Sequence, residues 1–203
     1  MNIYLHENDI PKDLKFSGAV AVDTETTGLN LMRDRLCLIQ LSGGDGSAHL
    51  VRFPNQKYEA PNLSALLQNP DSEKIFHFAR FDIAVLFEHL QVWCEPVYCT
   101  KIASKIARTY TDRHGLKDLC RELLGKDLSK AQQSSDWGAE ILSAEQKAYA
   151  AHDVLHLHRL RDQLNLILER EGRKSLALEC FSFLKSRAKL DLAGWGANDI
   201  FSH

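Results

Sequence analysis

Asp23 and Glu25 stand one residue apart in AVAVDTETTG, residues 19–28, at the end of a run whose alanines and valines suit a buried strand. In an extended chain, side chains at i and i+2 leave the same face, so both carboxylates point at one place. Like charges that close repel, and something positive is needed to hold them together. More acids are at hand. Asp82 closes HFARFD at 77–82, where a strand gives way to a helix, and Tyr149 and Asp153 bound YAAHD on a long helical stretch. Four residues apart on a helix means the same face, one turn removed. Acids at a strand end, an acid at a helix start and an acid with a Tyr one turn earlier form the donor set of a paired divalent-ion site. Hard oxygen ligands select Mg²⁺ or Mn²⁺. Taken singly, Asp23 reads as a turn cap, Asp82 as an N-cap and Asp153 as a surface residue; the four falling together on such motifs argues for a site.

Other features favour plainer readings. His152 and His156 have helical metal spacing, but no third soft ligand accompanies them, so they read as solvated or capping histidines. His152 is adjacent to Asp153 and projects to a different side of the helix. Cysteines 37, 94, 99, 120 and 180 are odd in number and contain no C-x-x-C pair, which points to free thiols rather than a disulfide framework or structural zinc. Arg159, Arg161, Arg170, Arg173, Lys174, Lys185, Arg187 and Lys189 read as a solvated helical face, with a subunit or nucleic-acid surface as the alternative.

The elements that must position the acids alternate in the first half and are almost wholly helical in the second. Strands are expected over 18–22, 35–41, 48–52, 74–78 and 97–99, with GGDG at 43–46 making a hairpin turn. Helices are expected over 62–68, 81–90, 101–109 and 116–124, the last closed by Gly125. SAEQ at 143–146 has the form of a capping box and opens one long helix to about Arg170; a final helix follows over 174–190. The closing GWGANDIFSH is too polar and Gly-rich for a core element, though Trp195 has the size to dock on a neighbour. The pattern is α/β.

The 203 residues, 44% hydrophobic and 26% charged, suit one globular domain. A net charge of −2 does not advertise nucleic acid, so a polyanion would be met locally. Neither a signal peptide nor an apolar run long enough to span a bilayer is seen, and a cytoplasmic location away from membranes is expected.

Three ordered motifs, VDTETTGL (22–29), HFARFD (77–82) and Y-x-x-x-D (149–153), together with GLKDLCRELLGKDLSKAQQSSDW (115–137), resemble the ribonuclease D-like branch of the DEDD 3′-to-5′ exonucleases. Tyr149 lies four residues before the last acid and Ala148, not His, five before it, which is the Tyr-type pattern. The resemblance implies a ribonuclease H-like mixed β-sheet flanked by helices, with four acids binding two ions. It implies that Asp23 bridges both ions, that Glu25 and Asp153 complete the first ion's shell, that Asp82 helps hold the second, partly through water, and that Tyr149 orients the attacking water. It places Leu29 where relatives wedge an apolar side chain between the last two bases, with Thr26 and Thr27 at the terminal ribose. His77 either offers a flat ring for a base to stack on or, with Phe76, finishes a half-buried strand. Lys130, Gln133, Ser134, Ser135 and Asp136 lie in a loop suited to phosphate contact, which Trp137 would anchor.

Only residues 171–203 follow the long helix, so no added C-terminal helical RNA-binding domain is expected. The chain therefore most resembles the short nanoRNase C group. That implies 3′-to-5′ exoribonuclease action on short oligoribonucleotides, down to dinucleotides, releasing 5′-mononucleotides, and a ring-like homo-oligomer, possibly an octamer. The alternatives are an exonuclease acting on DNA or on longer structured RNA, and a catalytically silent binder of nucleic acid. The last expects a missing ligand, whereas all four acids and Tyr149 are present.

Overall fold

The computed structural model describes residues 1–128, 132 and 134–203. Among them, strands β1 (Asn2–Glu7), β2 (Val20–Thr26), β3 (Leu36–Ser42), β4 (Ser47–Arg52), β5 (Lys74–Phe76) and β6 (Val97–Cys99) form one sheet in the order β1-β4-β3-β2-β5-β6. Strand β3 runs antiparallel to β2 and β4, and the β1–β4, β2–β5 and β5–β6 pairs are parallel, so the sheet is mixed. All seven residues of β3, LCLIQLS, are buried, as the continuous apolar run of a strand covered on both faces requires. Helices α1 (Pro61–Gln68), α2 (Ala79–Leu90), α3 (Thr100–Ala107), α4 (Leu116–Leu124), α5 (Ala144–Leu155), α6 (Leu157–Arg170) and α7 (Lys174–Leu190) surround it. Helix α5 packs on β3 and β4, whereas α6 packs on α3 and α4.

Four local differences from the sequence expectations have physical causes. Strand β2 continues through Thr26, so Asp23 and Glu25 stand inside a paired strand rather than beyond its end; their partners on β3 are Gln40 and Leu38. Strand β1 carries no apolar alternation, being mostly exposed, and is held by backbone pairing to β4 from Asn2↔Ser47 to Glu7↔Arg52. The expected long helix divides at His156, whose φ −107°, ψ −8° departs from ideal helical values without help from Gly or Pro. This break lets α5 follow the sheet while α6 turns into the helical layer. At the C-terminus, Asp191–Trp195 forms a π-helical turn after α7, and Trp195 is half exposed rather than packed into the core. All five cysteines are free, four of them buried. No helix among the described residues is long and apolar enough to cross a membrane.

The capping box is present in full. Gln146 N donates to Ser143 Oγ at 3.1 Å, and Ser143 N donates to Gln146 Oε1 at 2.8 Å. The Gln146 amide also donates from Nε2 to Ser135 Oγ and the Asp136 carbonyl, pinning the preceding loop to the start of α5. Ser143→Ala is expected to lower unfolding stability by about 1 kcal/mol in urea titration, as loss of an N-cap does. An unchanged midpoint and slope would mean that packing alone fixes α5.

Candidate active site

Asp23 and Glu25 project from β2 toward α5, where Asp153 meets them. One carboxylate oxygen from each of the three lies within 4.8 Å of the others, and all three residues are half-buried. A register shift between Glu25 and Thr26 breaks the β2–β3 pairing at this point, a device that re-aims side chains near the end of a strand. The same-face relation expected of Asp23 and Glu25 is therefore realised.

Asp82 stands apart from that group. It lies in the first turn of α2, almost fully buried, and its Oδ1 accepts a 2.7 Å hydrogen bond from Thr24 Oγ1. Thr24, between the two acids, points to the opposite face of the strand and takes hold of Asp82 there. Three carboxylates thus converge and Asp82 lies beside them, close enough to raise the pKa of Glu25.

Burial acts on the whole set in one direction, and repulsion adds to it for Glu25, Asp82 and Asp153. Burial is the main reason that the Asp23 carboxyl is pushed up to about 7, against a backbone hydrogen bond from Thr24 that lowers it. Glu25 is pushed up to about 10 by burial and then by Asp23, Asp153 and Asp82. Asp82 and Asp153 are also held well above the usual carboxylate range, by burial first and by Asp23 second. No cationic side chain among the described residues offsets these four groups. Hard anionic oxygens crowded in this way fit Mg²⁺ or Mn²⁺, which supply the missing positive charge. Burial and the nearby Asp153, Glu25 and Asp23 raise the Tyr149 phenol beyond its ordinary value, so it remains protonated and hydrogen-bonds to Asp153.

The expected substrate-contact residues fare unequally. Leu29 is 82% exposed at the tip of a loop closed behind it. Thr26 Oγ1 donates to the Gly28 carbonyl, Thr27 Oγ1 accepts from Arg35 N, and Asp34 Oδ2 accepts from Asn30 N. The hydroxyls of Thr26 and Thr27 thus help close the loop. A Cβ on Gly28 would collide with the Asp34 carboxylate and displace it from its place in the loop. His77 is fixed through Nδ1 to Thr100 Oγ1 at 2.9 Å. Because Thr100 donates its own proton to the Phe76 carbonyl, Nδ1 carries the hydrogen and Nε2 is the acceptor. Burial and Lys101 lower His77 to about 3, which keeps the ring neutral. Ser135 is bound to the Gln146 amide, Asp136 Oδ1 accepts from Gly138 N, and Ser134 is exposed. Lys130 and Gln133 lie outside the described residues. Trp137 is buried against Tyr149, with ring centroids 6.1 Å apart, and anchors its loop as expected.

Three neighbours were not singled out from the sequence. Thr24 directs Asp82, and the alternation of β2 already places it on the other face from Asp23. Thr100 sets the His77 tautomer through a long-range contact that leaves no local signal. Lys101 places Nζ 4.2 Å from the centroid of the exposed Phe78 ring and is in no ion pair among the described residues.

Comparison with known proteins gives the family and the fold. The family described as 3′-5′ exonuclease matches residues 6–169. Ribonuclease D of Gluconacetobacter diazotrophicus is 38% identical over 157 residues, which cover 76% of this chain; the chain spans only 39% of that relative's length. DNA polymerase I of Aquifex aeolicus is 30% identical over an alignment covering 91% of the chain and 33% of the polymerase. Among solved structures, Brucella melitensis NrnC bound to pGG superposes with a TM-score of 0.96 at 54% identity, covering 100% of this chain and 99% of that one. Escherichia coli RNase D gives 0.73 at 26% identity over 84% of this chain and 44% of its own. The mixed sheet flanked by helices is accordingly the ribonuclease H-like arrangement of these nucleases. The chain belongs to the 3′-5′ exonuclease family, in its ribonuclease D-like branch together with NrnC.

Proposed function

We propose that this protein is a two-metal-ion 3′-to-5′ exoribonuclease that hydrolyses short oligoribonucleotides, down to dinucleotides, to 5′-mononucleotides. The observation that carries this reading is the convergence of Asp23, Glu25 and Asp153 within 4.8 Å, beside Asp82 and a neutral Tyr149. Bound at such a cluster, two dications supply the activation of water and the stabilisation of charge on the phosphoryl oxygens. The protein's own groups do the rest. Asp23, Glu25 and Asp153 hold the ions, and Asp82, steadied by Thr24, assists from the side. Tyr149 remains protonated, so it orients the attacking water by donating or sharing a hydrogen bond and takes no proton itself. Leu29 and the flat face of His77 are read as base contacts, and Ser135 as a phosphate contact.

Support for a short substrate comes from NrnC, which was solved with pGG and, separately, with bound Mg²⁺. A homo-oligomer, possibly an octamer, belongs to the same proposal. The similarity to a DNA polymerase favours a second reading, exonuclease action on DNA, as a specific competitor. A series of 5′-labelled RNAs and matched DNAs from two to about ten nucleotides, incubated with Mg²⁺ or Mn²⁺, decides between them. Faster loss of the shortest RNAs than of any DNA supports the first reading, and DNA cleaved at equal or greater rates overturns it.

Asp153→Ala is expected to reduce kcat by roughly 10³-fold or more while the protein stays folded, since removing a charge from a repulsive cluster relieves strain. Tyr149→Phe is expected to slow turnover roughly 10²-fold with metal binding retained, as loss of a positioned hydrogen bond to the reacting water does. A wild-type rate in either folded variant removes that residue from the mechanism.

The crowded carboxyls also set a pH dependence. Asp23 rises from 3.8 to about 7 on folding and Glu25 from 4.5 to about 10, so the folded protein binds more protons than the unfolded one across those windows. Their contribution is fully present below the unfolded values and is lost as pH rises through the folded ones. In chelator, Tm is therefore expected to fall between about pH 5 and pH 9, and added Mn²⁺ is expected to restore it most at the alkaline end. A chelated protein that grows more stable over that range would refute the crowding.

A further inference from the structure

Strand β3 contains one side chain that does not suit its surroundings. Gln40 is fully buried within LCLIQLS, and both ends of its amide, Oε1 and Nε2, lack a hydrogen-bond partner among the described residues. Among those residues it is the one side chain that leaves two buried polar atoms unpartnered. Lys74 and Gln146 show the usual alternative. Lys74 Nζ donates to three carbonyls, and the Gln146 amide accepts from Ser143 N and donates to Ser135 Oγ and the Asp136 carbonyl. Burying an amide without partners is costly, so a position that keeps one calls for a reason.

The register of the sheet fixes what lies beside it. Gln40 is the cross-strand partner of Asp23 on β2 and of Leu50 on β4, so these three side chains leave one face of the sheet in a row. Leu38, two residues earlier on β3 and paired with Glu25, leaves that same face. Leu38 and Leu50 pack with Ala150 of α5 and against Tyr149, which identifies the face as the one that carries the acids and lies under α5. The Gln40 amide thus has an apolar neighbour on the β4 side and a carboxylate on the β2 side. Directly across from it, Asp23 is the group that can use it.

We propose that Gln40 is a positioning residue of the metal site: with dications bound, its Nε2 donates to the Asp23 carboxylate and fixes the orientation in which Asp23 holds them. The inference rests on the metal-dependent function proposed above. A carboxylate that binds an ion keeps lone pairs to spare, and hydrogen bonds from an outer layer of residues orient such ligands. An amide is also neutral, so it steadies an acid without cancelling the charge that attracts the ions, as an Arg or Lys in its place would. Leu or Met at this position would pack and have no proton to offer.

The test uses the full chain and the variants Gln40→Met and Gln40→Leu, which keep roughly the same volume and remove both polar atoms. Tm is measured in chelator, and Mn²⁺ is titrated into the chelator-free protein with the free ion read by electron paramagnetic resonance. The two readings are expected to part. In chelator each variant melts at or above the wild-type temperature, since an apolar group replaces an unpartnered amide. Mn²⁺ affinity falls by roughly 10- to 100-fold, as it does when a residue that orients a ligand is lost. A variant that melts well below the wild type in chelator, or a folded one that binds Mn²⁺ as the wild type does, overturns the assignment. A wild-type protein that binds no Mn²⁺ overturns it too, together with the metal site. The expected split in binding, with no dinucleotide RNA hydrolysed by the wild type, leaves Gln40 in its role and refutes the exonuclease reading instead.

Discussion

Mutual repulsion among buried carboxylates governs this molecule. Asp23, Glu25 and Asp153 are drawn within 4.8 Å of one another; burial makes each harder to ionise, and Asp23 adds to this for both Glu25 and Asp153. An arrangement of that kind persists only when the elements bearing it are over-determined by other contacts. Strand β2 is paired on both sides, by β3 and β5, and begins with three fully buried apolar residues. Helix α5 is capped at Ser143 and Gln146 and packed on β3 and β4. The scaffold holds the acids where their own charges would drive them apart, and a dication converts that opposition into attraction.

Around this centre the polar side chains divide into those that hold and those that are held. Thr24 holds the Asp82 carboxylate by a hydrogen bond. Thr100 fixes the His77 ring and its proton. Thr26, Thr27 and Asp34 close the loop from which Leu29 stands out. None of these hydroxyls needs to touch a substrate to matter, because each removes a degree of freedom from Asp82, His77 or the Leu29 loop.

The buried charges elsewhere are satisfied by ordinary means. Lys74 is fully buried and gives its three protons to the carbonyls of Asn69, Ser72 and Glu95. Arg108, also fully buried, is bound to Glu122, Ser104 and the Arg113 carbonyl. Against that background, the negative cluster at β2 and α5, which no cation among the described residues balances, marks a site, since such burial is tolerated where a ligand supplies the balance.

What could be read directly from the sequence is what short-range geometry dictates. The i, i+2 relation places Asp23 and Glu25 together, the i, i+4 relation places Tyr149 beside Asp153, and the SAEQ pattern caps α5. The family motifs added the fold. Distances between elements were not legible in this way. The hydrogen bond from Thr24 to Asp82 joins residues 58 apart, and no spacing announces it. The helix divides at His156 because two neighbouring layers ask for different directions, and no residue there announces the break. Strand β1 forms by backbone pairing that leaves no hydrophobic period, and the terminal turn docks through Arg80 and Asp191, 111 residues apart. Periodicity reports which side chains share a face. Only the packed chain decides which faces meet, because that depends on contacts whose partners are remote in sequence.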